Sequence, residues 1–271
     1  DGRGDLLMLG LGLGLTAWRR PPAWSPAALF ASGEQGAWYD PSDLSTLYQD
    51  ATGTTPVTAP GQTVGLVLDK SGRGNHATQP TAASRPVLQQ DGGGRYYLAF
   101  DGVDDFLSTS NIDFTATDKM TVLAGVRKLS DAAVGRLLEL SVSTSGNNGT
   151  FSLTAPRFAG EASYGIESRG SIRVGSGSAG FAAPISSVLT MTSHIAEDVA
   201  QLSVNGVGAI SINADQGTGN YGSYPLYIGR RGGTAEAFNG RLYGLIVRGA
   251  MTDLATIEQA EAWLNQRTEA Y

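Results

Sequence analysis

The chain has 271 residues, a formal net charge of −6, 41 % apolar residues and 16 % charged ones. That is too apolar and too weakly charged for a disordered chain, and the lack of cysteine excludes a disulfide framework and any thiolate metal site. The 19 basic residues are scattered in runs of no more than two, which argues against nucleic acid as the main partner.

Residues 1–36 read as an arm. Leu7, Leu9, Leu11, Leu13 and Leu15 fall on every second position, with Met8, Gly10, Gly12 and Gly14 between them. As a strand, this ribbon has one leucine face and one face of nearly bare backbone. Glycine makes such a strand costly to order alone, so the ribbon is expected to dock by strand addition against other chains of an assembly. RRPPAWSPAALF follows, with Pro21, Pro22 and Pro26, and is expected to be extended. Arg19 and Arg20 come after the apolar part, opposite to a secretory signal, and no apolar run reaches the roughly 18 residues of a membrane span.

Residues 37–250 form the body, which reads as short strands between turns. The predicted strands are TVLAGVRK (121–128), RLLELSV (136–142), GTFSLTA (149–155), ASYGIES (162–168) and SIRVG (171–175). SSVLTMTSHI (186–195) leads to AQLSVNGVGAISI (200–212), in which Asn205-Gly206 is a strong hairpin signal. YPLYIGR (224–230) and NGRLYGLIVRG (239–249) complete the set. Strands without intervening helices, and 37 glycines to turn them, predict an all-β, two-sheet antiparallel sandwich. One helix is predicted, TDLATIEQAEAWLNQ (252–266), with Thr252 as N-cap, packed on the sandwich's edge or outer face. The chain therefore divides into the arm and one domain, 37–271.

Several motifs occur in a fixed order. GAWYDPSDLSTLYQDATGTTPV (36–57) precedes DKSGRGNHATQ (69–79), then YLAFDGVDDFLST (97–109), LSVNGVG (202–208), LYIGRR (226–231) and FNGRLYGLIVRGAMTDLATIEQAEAWL (238–264). Together they resemble the concanavalin A-like, laminin-G-type jelly roll of many phage and bacterial surface proteins, over about residues 37–268. The AWYDPSDLSTLYQD preamble is similar to that of tailed-bacteriophage virion proteins. The resemblance implies a jelly-roll sandwich and a non-enzymatic particle component: a tail, fibre or decoration subunit on the particle surface. It would be anchored to other virion proteins by its arm, assembled as a homo-oligomer, and would bind host-surface glycan. The alternative is a secreted lectin or glycan-degrading enzyme of the same fold.

Asp101, Asp104 and Asp105 are the best metal candidates, since calcium takes several oxygen ligands and laminin-G-type relatives often bind it at the sandwich rim. Asp101-Gly102 is also an ordinary turn pair, and the turn reading is preferred; no other cofactor is expected. In DKSGRGNHATQ, Asp69 and Asn75 are expected to bond nearby backbone and His76 to serve the turn, while His194 reads as a partly buried strand residue. Tyr221, Tyr224 and Tyr227 cluster with glycines and are the carbohydrate-stacking candidates, set against packing inside the sandwich. No catalytic motif occurs. Glu161 and Glu167 are the nearest approach to a glycosidase pair, and no third acid joins them.

Overall fold

The computed structural model describes residues 24–271, so the leucine ribbon, Leu7 to Leu15, lies outside the described residues. The strands are β1 (Gly36–Tyr39), β2 (Leu47–Tyr48), β3 (Leu66–Val67), β4 (Ala77–Thr78), β5 (Val87–Gln90), β6 (Tyr96–Asp101), β7 (Leu107–Asp113) and β8 (Lys119–Lys128). They continue as β9 (Arg136–Leu140), β10 (Thr150–Thr154), β11 (Ser163–Arg169), β12 (Arg173–Ala179) and β13 (Ile185–His194). The last are β14 (Val199–Val204), β15 (Val207–Ile212), β16 (Ser223–Ile228) and β17 (Asn239–Arg248), followed by helix α1 (Leu254–Thr268).

Two antiparallel sheets face each other. The back sheet runs β15-β14-β13-β8-β17-β6-β5, with β1 also paired to β17; the front sheet runs β12-β11-β10-β9-β16-β7-β4-β3-β2. Alternate residues of each strand face opposite sides of its sheet. Val122, Ala124 and Val126 of β8 and Leu189 and Met191 of β13 point inwards. They meet Phe151 and Leu153 of β10 and Leu138 and Leu140 of β9 in one continuous core. Asn205 and Gly206 both take positive φ, 54° and 73°, as the tight hairpin between β14 and β15 requires.

The outer face of the back sheet is covered. Leu123, Val188 and Ile246 point out of it and pack under Ala260, Trp263 and Leu264 of α1. The helix sits close because Gly125 and Gly244 lie beneath it. A Cβ on Gly125 would stand 2.7 Å from Thr268 Cγ2, and one on Gly244 2.9 Å from Leu264 Cδ2. Asp253, one residue beyond the predicted Thr252, is the N-cap, its carboxylate accepting from Thr256 N–H at 3.0 Å. Thr252 is turned towards the sheet, where its hydroxyl bonds to that of Thr121 and accepts from Arg248.

Of the stretch 19–30 expected to be extended, residues 19–23 lie outside the described residues and the remainder is not extended. Pro26–Phe30 forms a 3-10 turn capped by Ser25, and Leu29 and Phe30 join the apolar cluster under α1. Arg73 and Arg248 donate to the carbonyls of Phe30 and Leu29, so residues 25–36 are fastened to the domain's own back face. Proline at the first turn position suits the 3-10 turn, which is why its presence did not enforce extension.

Candidate functional site

The outer face of the front sheet carries no helix among the described residues. Its register aligns one row of side chains across five strands: Tyr227 of β16 pairs with Glu139 of β9, Glu139 with Ser152 of β10, Ser152 with Glu167 of β11, and Glu167 with Gly175 of β12. A register shift between Leu153 and Thr154 then brings Arg136 opposite Thr154. Such irregularities re-aim side chains, and here one turns an arginine into the polar row.

Arg136 is buried among three carboxylates. Its Nε and Nη2 donate to Glu236, and its Nη1 donates to Ser152 Oγ at 2.6 Å and Glu167 Oε2 at 3.2 Å. Glu139 lies 3.4 Å from Arg136 Nε and 3.6 Å from Arg231 Nε. Arg231 also donates to Glu236, and Arg173 donates to Glu167. Burial pushes the Glu139 carboxyl up, against the pull of Arg136, the Thr144 N–H and Arg231. Burial also acts to raise Glu167, but the Thr144 hydroxyl, Arg136, Arg173 and Ser152 together outweigh it and hold that carboxyl below its ordinary range.

Above this network opens a cleft of about 280 Å³ lined by Arg136, Thr154, Arg157, Phe158, Glu167, Arg173, Arg231 and Glu236, with Val134 at its side. Arg157 and Phe158 come from the loop between β10 and β11, which is pinned by Gly160 N–H donating to the Asp131 carbonyl and Arg157 N–H to Ser163 Oγ. Arg157 lies over a floor without side chains: Cβ atoms on Gly165 and Gly177 would stand 2.8 and 2.7 Å from its Cδ. Its guanidinium is 4.9 Å from the centroid of the Phe158 ring, which is 51 % exposed. Thr154 Oγ1, on a residue only 3 % exposed, has no hydrogen-bond partner.

The tyrosine trio does not form a stacking surface. Tyr221 is 1 % exposed, set edge-on against Phe151, with its hydroxyl bonded to Ser168 Oγ. Burial pushes its phenol up to about 12. It is a core residue, so sugar stacking at this position is ruled out. Tyr224 is half-buried against the core, and Tyr227, on the outer side of β16, packs against Phe106.

Asp101, Asp104 and Asp105 do come together, each with a carboxylate oxygen within 4.8 Å of the others. They are also tied into their own turn. Asp101 accepts from the N–H groups of Val103 and Asp104, Asp105 accepts from Asp101 N–H, and Asp104 accepts from the Ser84 hydroxyl. Burial and the neighbouring Asp101 charge push Asp105 up to about 7. Asp101 Oδ1, Asp104 Oδ2 and Asp105 Oδ2 already accept from these donors, which leaves one oxygen on each carboxylate, so calcium, with its roughly six to eight oxygen ligands, would have to complete its shell from water or backbone. In the DKSGRGNHATQ turn, Asp69 accepts from the N–H groups of Trp38, Ser71 and Asn75, and His76 Nδ1 accepts from Asp69 N–H, as the turn reading expected. His194 is mostly buried between Asp118 and Glu197.

Of the two acids weighed for catalysis, Glu167 lines the cleft, whereas Glu161 is exposed and bonded to Ser163. The arginines and Thr154 of the cleft were missed in the sequence. The available signal was alternation: Phe151, Leu153 and Ile166 point in, so Ser152, Thr154 and Glu167 had to share the outer face.

No family model matches the chain, and no curated protein matches it. Solved structures do. The binding domain of botulinum neurotoxin DC, in complex with rat synaptotagmin II, is similar with a TM-score of 0.54 at 11 % identity, covering 73 % of this chain and 49 % of that one. This chain shares the two-sheet antiparallel β-sandwich fold of that domain. The same toxin domain in complex with SialylT gives a TM-score of 0.52 at 10 % identity over 74 % of this chain and 48 % of that one, so this sandwich spans about half of the toxin chains it matches. The Ruminococcus gnavus IT-sialidase CBM40 aligns over 57 % of this chain and 97 % of its own, at 15 % identity with a TM-score of 0.44.

Proposed function

We propose that the protein is a non-catalytic, lectin-like module that binds glycan in the cleft on the outer face of the front sheet. The observation that carries this reading is the cleft itself. It combines a pinned loop, an exposed aromatic ring and a preformed network of charged groups on paired strands. Sugar sites pair an aromatic platform with a few fixed polar groups. The reading is supported by the similar fold of the botulinum neurotoxin DC binding domain, which was solved with SialylT bound.

The module is proposed to be non-catalytic because its acids are committed. Glu139 has no exposed surface, and Glu167 and Glu236 are each held by two arginines. A general acid must reach the leaving group with a proton to give, and arginine partners hold carboxylates ionised. Probing a glycan array with the full chain tests the reading: binding is expected, and Phe158→Ala is expected to lose it. Release of reducing ends from a bound polysaccharide, stopped by Glu167→Gln, would overturn the non-catalytic part.

A second reading, a surface subunit of a phage particle, is favoured by the layout. The segment entering the domain is fastened to the back face, and the cleft opens on the front face. A chain anchored through its preceding residues would thus present the cleft outwards. Deleting residues 6–16 is expected to leave a folded domain that no longer incorporates into particles; particles that retain the shortened protein would overturn it.

A further inference from the structure

We propose that the glycan taken by the cleft is an acidic one, and that Arg157 is the residue that receives its carboxylate. This rests on the glycan-binding reading above and adds the ligand class. Among the described residues, four arginines (Arg136, Arg157, Arg173 and Arg231) stand at the cleft against three glutamates (Glu139, Glu167 and Glu236). Arg136, Arg173 and Arg231 are each paired with at least one of these acids. Arg157 forms no ion pair with any described residue, and no side-chain hydrogen bond either. It is the surplus cation of the site, in a protein that is acidic as a whole.

Its position is held without being neutralised. The glycines at 165, 175 and 177 leave a flat floor under it: a Cβ on Gly175 would stand 3.7 Å from its Nη2 and one on Gly177 3.5 Å from its Nη1. Phe158 lies against the guanidinium from the same loop. A planar guanidinium laid flat keeps its donor edge free for two parallel bonds to a carboxylate, a geometry that lysine cannot reproduce. The exposed Phe158 ring then offers an apolar face to the pyranose. A neutral sugar would leave the Arg157 charge unmatched.

Titration of the full chain by calorimetry tests this. The probes are the methyl glycosides of N-acetylneuraminic acid and glucuronic acid, the methyl esters of both, lactose, and inorganic sulfate. At least one acidic glycoside is expected to bind, and the two together separate a nonulosonic from a uronic source of the carboxylate. Its ester is expected to bind at least tenfold more weakly. Arg157→Ala is expected to lose tenfold or more with little change in melting temperature, because its guanidinium forms no ion pair or hydrogen bond with a described residue, and Arg157→Lys to recover only part of the loss. If ester and acid bind alike, or if lactose binds as tightly and Arg157→Ala changes nothing, the acidic-sugar proposal falls while glycan binding stands. If sulfate binds as tightly as the glycosides, the cleft is a simple anion site and the proposal falls. If no sugar binds at all, the glycan reading falls with it.

Discussion

The two outer faces of the sandwich solve the same problem in opposite ways. Each sheet buries one face against the other and must do something with the second. The back sheet points Leu123, Val188 and Ile246 outwards and covers them with α1 and the Pro26–Phe30 turn, adding an edge-on Trp38–Trp263 contact at 5.8 Å. The front sheet points Glu139, Ser152, Thr154 and Glu167 outwards and leaves them under an open cleft. The strands are built alike on both sheets, so the alternate residue decides: apolar outward residues recruit a cover, and charged ones leave a surface that can recruit a ligand.

The sharpest way to break this contrast is to remove the central arginine of the front face. Arg136→Met would leave Glu139, Glu167 and Glu236 crowded without their shared cation, and stripping one partner from a buried network costs about 3–5 kcal/mol. Denaturant unfolding is expected to show that loss, whereas Arg157→Ala, which removes a cation without a partner, is expected to leave the midpoint in place. Equal losses for the two would erase the distinction between scaffold and binding groups.

On the covered face, Gly125→Val tests whether close seating of the helix matters. The new side chain would collide with Leu264 and Thr268, and overpacking costs about 1–3 kcal/mol. An unchanged stability would mean that α1 is only loosely laid on the sheet. A smaller effect concerns Asp105. Its folded-state pKa, about 7, lies above the value near 3.9 of an unfolded aspartate, so the folded state holds the proton more tightly. The resulting stabilisation is complete below about pH 4 and is lost as pH rises through 7. Asp105→Asn is therefore expected to raise the melting temperature at pH 8 by roughly 3 °C and to change it little at pH 4. The reverse order would contradict the burial argument. The smallest effect is that of chelation, which is expected to leave the melting temperature where it is, as the turn reading of Asp101, Asp104 and Asp105 requires; a drop would show a bound ion that stabilises the native state.

The strands from β8 onward and the helix were legible in the sequence because their signals are local. Short apolar segments between turn residues marked β8, β13 and β17, and Asn205-Gly206 marked the β14–β15 hairpin, whereas the short strands β2–β5 carried no comparable signal. The N-cap slipped by one position because Thr252 and Asp253 are both good caps, and only tertiary contact with Thr121 takes Thr252 away. The cleft was not legible. Arg136 and Glu236 are 100 residues apart, and a register irregularity, invisible in composition, turns Arg136 towards that partner. Tyr221 misled for a related reason: glycine-rich flanks read as an exposed loop, but a partner hydroxyl at Ser168 lets the tyrosine go inside.

Strand β17 has a consequence for synthesis. It lies at the centre of the back sheet, bonded along one side to β8 and along the other to β6 and then to β1. It is also the last strand of this domain to be made. Until residues 239–248 leave the ribosome, β1 and β6 have no inner neighbour and β8 has an open edge. The domain is therefore expected to close only once β17 has emerged, in one late step that joins its first strand to its last. A nascent chain stalled before residue 239 should remain protease-sensitive throughout, and emergence of residues 239–271 should convert the whole body to resistance at once.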